Sequence, residues 1–150
     1  MTERYKAMRR ADGPKLEDTS DSIEYATITF SGIAEGATQY ECNMTLTLKD
    51  SAGATITGTN TVLIFLSETE AGTAITTAVP STTFATESTY GNVLASIVTR
   101  AVVMFRTNAS GVIQLSIIDS AKAANYIHAQ VIGSSRKSVS RVLATADYKA

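Results

Sequence analysis

Between Tyr40 and Leu48 the chain reads YECNMTLTL, and its side chains alternate: Tyr40, Cys42, Met44, Leu46 and Leu48 on one side, Asn43, Thr45 and Thr47 on the other. Successive residues of an extended strand point to opposite faces, so this stretch has one face to bury and one to leave in water. A strand cannot bury a face alone and must find a second layer to cover it. The same period runs through the preceding IEYATITFS, where Ala26, Ile28 and Phe30 oppose Tyr25, Thr27 and Thr29.

The pattern recurs along the chain. In KDSAGATITG, Asp50, Ser51 and Gly53 supply the side-chain acceptors and left-handed backbone that a reversal needs. TVLIFLS follows, β-branched, aromatic and apolar on both sides, as expected of an interior strand covered on both faces. NVLASIV and AVVMFRT flank Thr99 and Arg100, NASG from Asn108 to Gly111 is a turn, VIQLSII follows, and YIHAQVIG and SVSRVLAT end the pattern near Thr145. No long helical period interrupts them. The expected fold class is all-β, an antiparallel sandwich of about seven to nine short strands.

Two stretches stand apart. Residues 1–22 carry Arg4, Lys6, Arg9, Arg10 and Lys15 first, then Glu17, Asp18 and Asp21, while Tyr5, Met8 and Leu16 are their large apolar residues. Asp12-Gly13-Pro14 would break a helix begun by the opening residues. This reads as an arm, either a frayed terminus or a tether that orders on a partner, preceding one domain over 23–150. Fully extended, it would reach roughly 70 Å. From Ser67 to Asn92 the period weakens among threonines, Gly72, Pro80 and Gly91. Either two short strands form around Val79 to Phe84, or the segment projects and Phe84 and Tyr90 meet a partner.

Thirteen basic and fourteen acidic side chains leave a net charge of -1, which gives no whole-domain footprint for nucleic acid or an anionic membrane. The longest apolar run, Val62 to Leu66, is far short of the roughly 20 residues that span a bilayer, so neither a membrane anchor nor a signal peptide is expected. At 150 residues the chain can bury roughly 70% of its unfolded surface without disulfides. Its one cysteine, Cys42, falls on the apolar face of its strand and reads as core.

Chemistry is sparse. The one histidine, His128, alternates with Tyr126 and Gln130 and is expected as an exposed residue on a polar outer face. One His and one Cys do not make a zinc site, and the acidic residues lack calcium-loop spacing. A hydrolytic carboxylate pair, with Glu68 and Asp119 as candidates, could only be assembled by the fold. No catalytic residue, metal or cofactor is therefore assigned, and an enzyme is not the expectation.

The segments LTLKDSAGATITGTNTVLIFLSETEAGTA, TAVPS and FRTNASGVIQLSIIDSAKAANYIHAQV, spread over about residues 42–145, resemble the Ig-like β-sandwich structural proteins of tailed bacteriophages. Val79-Pro80 stands where Ala-Pro is commoner in that group, and Thr99-Arg100 where glycine is frequent. The resemblance implies a virion protein of the head decoration, cement or head-fibre type, made in the host cytoplasm and placed on the capsid surface. Its partners would be the major capsid protein and further copies of itself, a trimer being favoured. In that role Arg4, Tyr5, Lys6, Arg9, Arg10 and Lys15 of the arm, and Phe84 and Tyr90 of the middle segment, are the candidate contact residues. The rival expectation is a tail or fibre module that binds host-surface glycan through the segment from Ser67 to Asn92.

Overall fold

A computed structural model describes residues 23–87 and 89–150, so the expected arm and its six candidate residues lie outside the described residues. Among the described residues nine strands form two antiparallel sheets. They are β1 (Thr27–Glu35), β2 (Glu41–Lys49), β3 (Thr61–Ser67), β4 (Thr83–Thr86), β5 (Asn92–Val98), β6 (Val102–Arg106), β7 (Val112–Ile118), β8 (Asn125–Val131) and β9 (Val139–Leu143). The first sheet runs β1-β2-β7-β4 and the second β5-β6-β3-β8-β9. The chain is an all-β sandwich, as its alternation implies.

Alternation is what makes the two layers. In β2, Cys42, Met44, Leu46 and Leu48 are at most 1% exposed, while Asn43, Thr45 and Thr47 on the other face are half-buried. Cross-strand partners share a face. Cys42 therefore sits beside Ile117, and Leu46 beside Ile113. Across the gap, Val62 pairs with Phe105 and Ile64 with Val103, all facing inward. These two inner faces, with Ile127, Val131 and Leu143, form one contiguous core.

After β2 the chain leaves the first sheet and enters the second, so β2 and β3 do not pair with each other, although Lys49 and Thr55 form a short antiparallel bridge across the Asp50 turn. Asp50 Oδ1 accepts from the backbone N–H groups of Ala52 and Ala54, each at 2.9 Å, and Gly53 takes φ 84°, the turn chemistry its composition suggested. Strand β3 lies at the centre of its sheet, which accounts for its apolar residues on both sides. β1, β2 and β7 of the first sheet and β3, β8 and β9 of the second supply most of the core between them, and β6 and β5 extend the second sheet beyond β3. The chain reaches them by way of β4, on the opposite sheet.

The β5–β6 turn lacks the glycine that is frequent there, and Arg100 adopts φ 54° in its place. For a side chain larger than glycine that conformation costs about 1 kcal/mol. Val98 O still receives the Ala101 N–H at 3.0 Å, and Ala101 O accepts from Leu66 N at 2.9 Å, tying the turn to the central strand. At the other end of the chain Tyr148 is buried, and Lys149 exchanges backbone hydrogen bonds with Tyr40 and Glu41, closing the core over the start of β2.

Candidate interaction surfaces

The segment from Ser67 to Asn92 is held down rather than projecting. Ser67 Oγ donates to Ala74 O at 2.7 Å and accepts from Thr69 N at 3.1 Å, and Ser67 bridges Ile75 as a short ladder. Glu68 Oε1 accepts from Thr77 N at 2.9 Å and from Thr77 Oγ1 at 2.8 Å. Those two bonds hold the Glu68 carboxyl below its ordinary range, the backbone bond having the larger effect. One four-residue strand, β4, forms beyond Pro80.

The two aromatic residues expected to meet a partner part company. Phe84 is 6% exposed and packs edge-on against Phe105, with ring centroids 5.7 Å apart. It pairs with Ile117, whose face is the core face, and so corrects the expectation that it contacts a partner. Tyr90 is exposed at 45%, its backbone N–H bonded to Glu87 O and its carbonyl accepting from Gln114 N.

His128 also departs from expectation. It does face outward, paired with Phe65 across β3 and β8, yet it is only 2% exposed. The segment from Ser67 to Thr73 covers it. Its ring stacks on Phe65 with centroids 4.9 Å apart and planes 8° from parallel. Nε2 lies 3.3 Å from Thr69 O and Nδ1 3.3 Å from Ser138 Oγ. Gly72 rests on the imidazole: a Cβ there would come within 2.9 Å of Cε1, and its φ is 73°. Alternation correctly assigned the face, but it cannot see a loop returning over that face.

Buried carboxylates serve local backbone. Asp119, 1% exposed, accepts from Ser81 N and Ala121 N through Oδ1 and from Ala123 N through Oδ2, fastening the segment before β4 to the β7–β8 connection. Glu41 was missed by sequence reading, because its position on the polar face of β2 predicts exposure. It is 5% exposed, and Oε2 accepts from Thr38 N and Oε1 from Ser116 Oγ, both at 2.7 Å. Gly36 lies so close to this side chain that a Cβ would overlap it. Burial alone would raise the Glu41 carboxyl, but the bonds from Thr38 and Ser116 together outweigh it and hold the group below the ordinary range. Among the described residues no three His, Cys, Asp or Glu side chains are grouped to hold a metal ion. Glu68 and Asp119, the candidate hydrolytic residues, both accept hydrogen bonds from backbone N–H groups, Glu68 from Thr77 and Asp119 from Ser81, Ala121 and Ala123.

The two outer faces differ in kind. Across the first sheet, Thr29, Thr47 and Val112 form one row and Ser31, Thr45 and Gln114 the next, a threonine-rich surface. Across the second, Ala95, Met104, Leu63 and Gln130 form one row, and Val98, Val102, Phe65 and His128 the next. Neither of these two rows contains a charged Lys, Arg, Asp or Glu.

That apolar surface continues onto the edge strand β5, which is exposed at every position. Val93 is 44% exposed, Leu94 46%, Ile97 58% and Val98 46%. Val93 pairs with Phe105 and therefore faces inward, yet it remains uncovered. The edge strand of the opposing sheet, β4, is only four residues long. Two register shifts, one at Leu94 and one at Ile97, leave those residues without partners on β6. The chain matches no protein-family model and no curated protein.

Proposed function

We propose that this chain is a non-enzymatic structural protein of a virion, a decoration or cement protein that binds the head shell of a tailed phage. The identity of that shell comes from the resemblance of segments between about 42 and 145 to such proteins. The observation that supports assembly is the contrast between the two sheets: one outer face is threonine-rich, while the other is apolar at Met104 and Leu63 and runs onto an edge strand that is exposed at every position among the described residues. Apolar side chains grouped on one exposed edge, Val93, Leu94, Ile97 and Val98, are of the kind that a protein contact covers.

Recognition by shape suits a repetitive lattice. Where several copies engage together, linked contacts raise avidity by about 10² to 10⁴ over one site, so a small sandwich with modest single contacts is held firmly. In this reading the partners are the major capsid protein and other copies of the chain. The basic and acidic halves of residues 1–22 meet oppositely charged surface on the shell.

Cryo-electron microscopy of intact particles carrying the chain tests the reading directly. Sandwich-shaped density tiled over the head is the expected result. Density confined to the tail or its fibres would replace this proposal with the glycan-binding one, and Tyr90 would then be the first residue to substitute. Removing residues 2–22 is expected to lower occupancy on the head, and unchanged occupancy would remove those residues from the mechanism.

A further inference from the structure

We infer that the β5 edge of the five-stranded sheet, with the outer face of β6 and β3 beside it, is the surface through which two copies of this chain bind each other. The inference names the partner of the apolar surface described above, and it rests on the assembly reading only for the premise that this surface makes contacts. It requires neither a phage nor a capsid.

Among the described residues the strand leaves about half of each large apolar side chain exposed. All seven residues of β5 are exposed, although NVLASIV has the composition of an interior strand. Natural sheets blunt such edges with charge, proline or bulges. Neither a charged residue nor a proline occurs between Asn92 and Thr99. Bulges do occur, at Leu94 and Ile97, and they decide the mode of contact. A bulged edge does not offer the evenly spaced backbone groups on which another strand could be added. Leu94 and Ile97 instead stand free of the ladder, so the contact is made by side chains rather than by extending the sheet.

Charge and area identify the occupant. An isologous contact places the same residues of two subunits against each other, so any charge at its centre would meet its own copy. The apolar rows and β5 contain no such charge, and self-pairing costs them no repulsion. Arg106, beside Asn92, lies at the margin. Residues 1–22 are poorly suited to cover this strip, since they bring Tyr5, Met8 and Leu16 among dense charge. Four half-exposed aliphatic side chains supply on the order of 300 Å², comparable with the largest apolar patch of an ordinary monomer. A stable pair needs about 800 Å² from each partner. The contact therefore runs from β5 across Met104 and Leu63, the half-buried residues of the neighbouring row.

The test is the native mass of the full chain in solution at micromolar concentration, by analytical ultracentrifugation, for the unaltered protein and two variants. The unaltered chain is expected to be an oligomer. Ile97→Asp, at a position without a β6 partner, is expected to weaken association roughly 100-fold or more, as loss of a central apolar contact does. Its far-ultraviolet circular dichroism should match that of the parent, because the residue supports no core. Val142→Asp, on the opposite edge of the same sheet and 51% exposed, is expected to leave the mass unchanged. A monomeric parent chain, or an oligomer that survives Ile97→Asp, overturns the inference. Failure to find the protein on heads while Ile97→Asp still yields monomer would defeat the proposed function and leave this contact standing. A monomer that nevertheless decorates heads would do the reverse.

Discussion

Replacing Glu41 by glutamine isolates the worth of one buried negative charge. The side chain is 5% exposed and accepts two short bonds, from Thr38 N and from Ser116 Oγ. Glutamine has the same outline but keeps only one oxygen. That oxygen retains the Thr38 N–H, while the new amide must donate to Ser116, whose hydroxyl has to turn round and accept. Two charge-assisted bonds become two neutral ones, and the usual difference between them is about 1 kcal/mol each. Glutamine also avoids desolvating a carboxylate, so the net loss expected is about 1–2 kcal/mol. For a domain of this size that lowers Tm by roughly 3–8 °C.

The pH dependence separates the loss of charge from simple misfit. In the folded protein the Glu41 carboxyl sits below its ordinary value of 4.5, burial that would raise it being outweighed by the bonds from Thr38 and Ser116. A carboxyl with a depressed folded pKa contributes stability that is fully present above its unfolded pKa and lost as pH falls through the folded one. Urea unfolding at about pH 7 should therefore show the full difference between parent and Glu41→Gln, and the two curves should converge as the pH falls below the ordinary carboxyl range and the parent carboxyl takes up its proton. Acid loss common to both proteins cancels in the comparison. Equal stability at neutral pH would refute the claim that this charge is held by its hydrogen bonds. A difference that persisted unchanged into acid would show that shape, not charge, carries the effect.

Three further substitutions test the packing around the same frame. Phe84→Ala should cost about 3 kcal/mol in urea unfolding, because it empties a core position against Phe105, whereas a partner-contact residue would leave stability unchanged. Gly72→Ala places a methyl group against the His128 ring and in an unfavourable φ. It should cost about 1–2 kcal/mol and speed amide exchange at Thr73 and Thr77, while the amides of β3 keep their relative protection. Tyr148→Phe removes a buried hydroxyl that has no hydrogen-bond partner among the described residues, so stability should be equal or higher by up to about 1 kcal/mol, and a clear loss would show that the hydroxyl is satisfied.

Much of the fold could be read from the chain because the core is built from strict alternation. Cys42 through Leu48 and Val62 through Leu66 each put every second side chain inside, and the turns at Asp50 and Asn108 use their carboxylate or amide oxygens on nearby N–H groups as those residue types do. What could not be read shares one cause. Glu41 and His128 both face outward as their parity requires, and both are buried because a segment returns over them, from Gly36 to Tyr40 in one case and from Ser67 to Thr73 in the other. The segment over His128 is distant in sequence, and the one over Glu41 is the preceding turn bent back onto its own strand, a path that alternation does not specify.

Strand β5 fails in the opposite sense, and that failure is informative. NVLASIV and TVLIFLS have nearly the same composition, but one is an exposed edge and the other a central strand. β5 therefore carries the aliphatic residues of a central strand while leaving about half of each large side chain exposed. A chain that gained nothing from apolar residues there could have used threonine, as the outer face of the opposing sheet does at Thr29, Thr45 and Thr47. Threonine would keep the β-propensity and remove the aggregation risk of an uncharged edge. Aliphatic side chains at these positions are accounted for when the burial that is missing within the chain is supplied between chains. The mass of Ile97→Asp is the measurement that decides it.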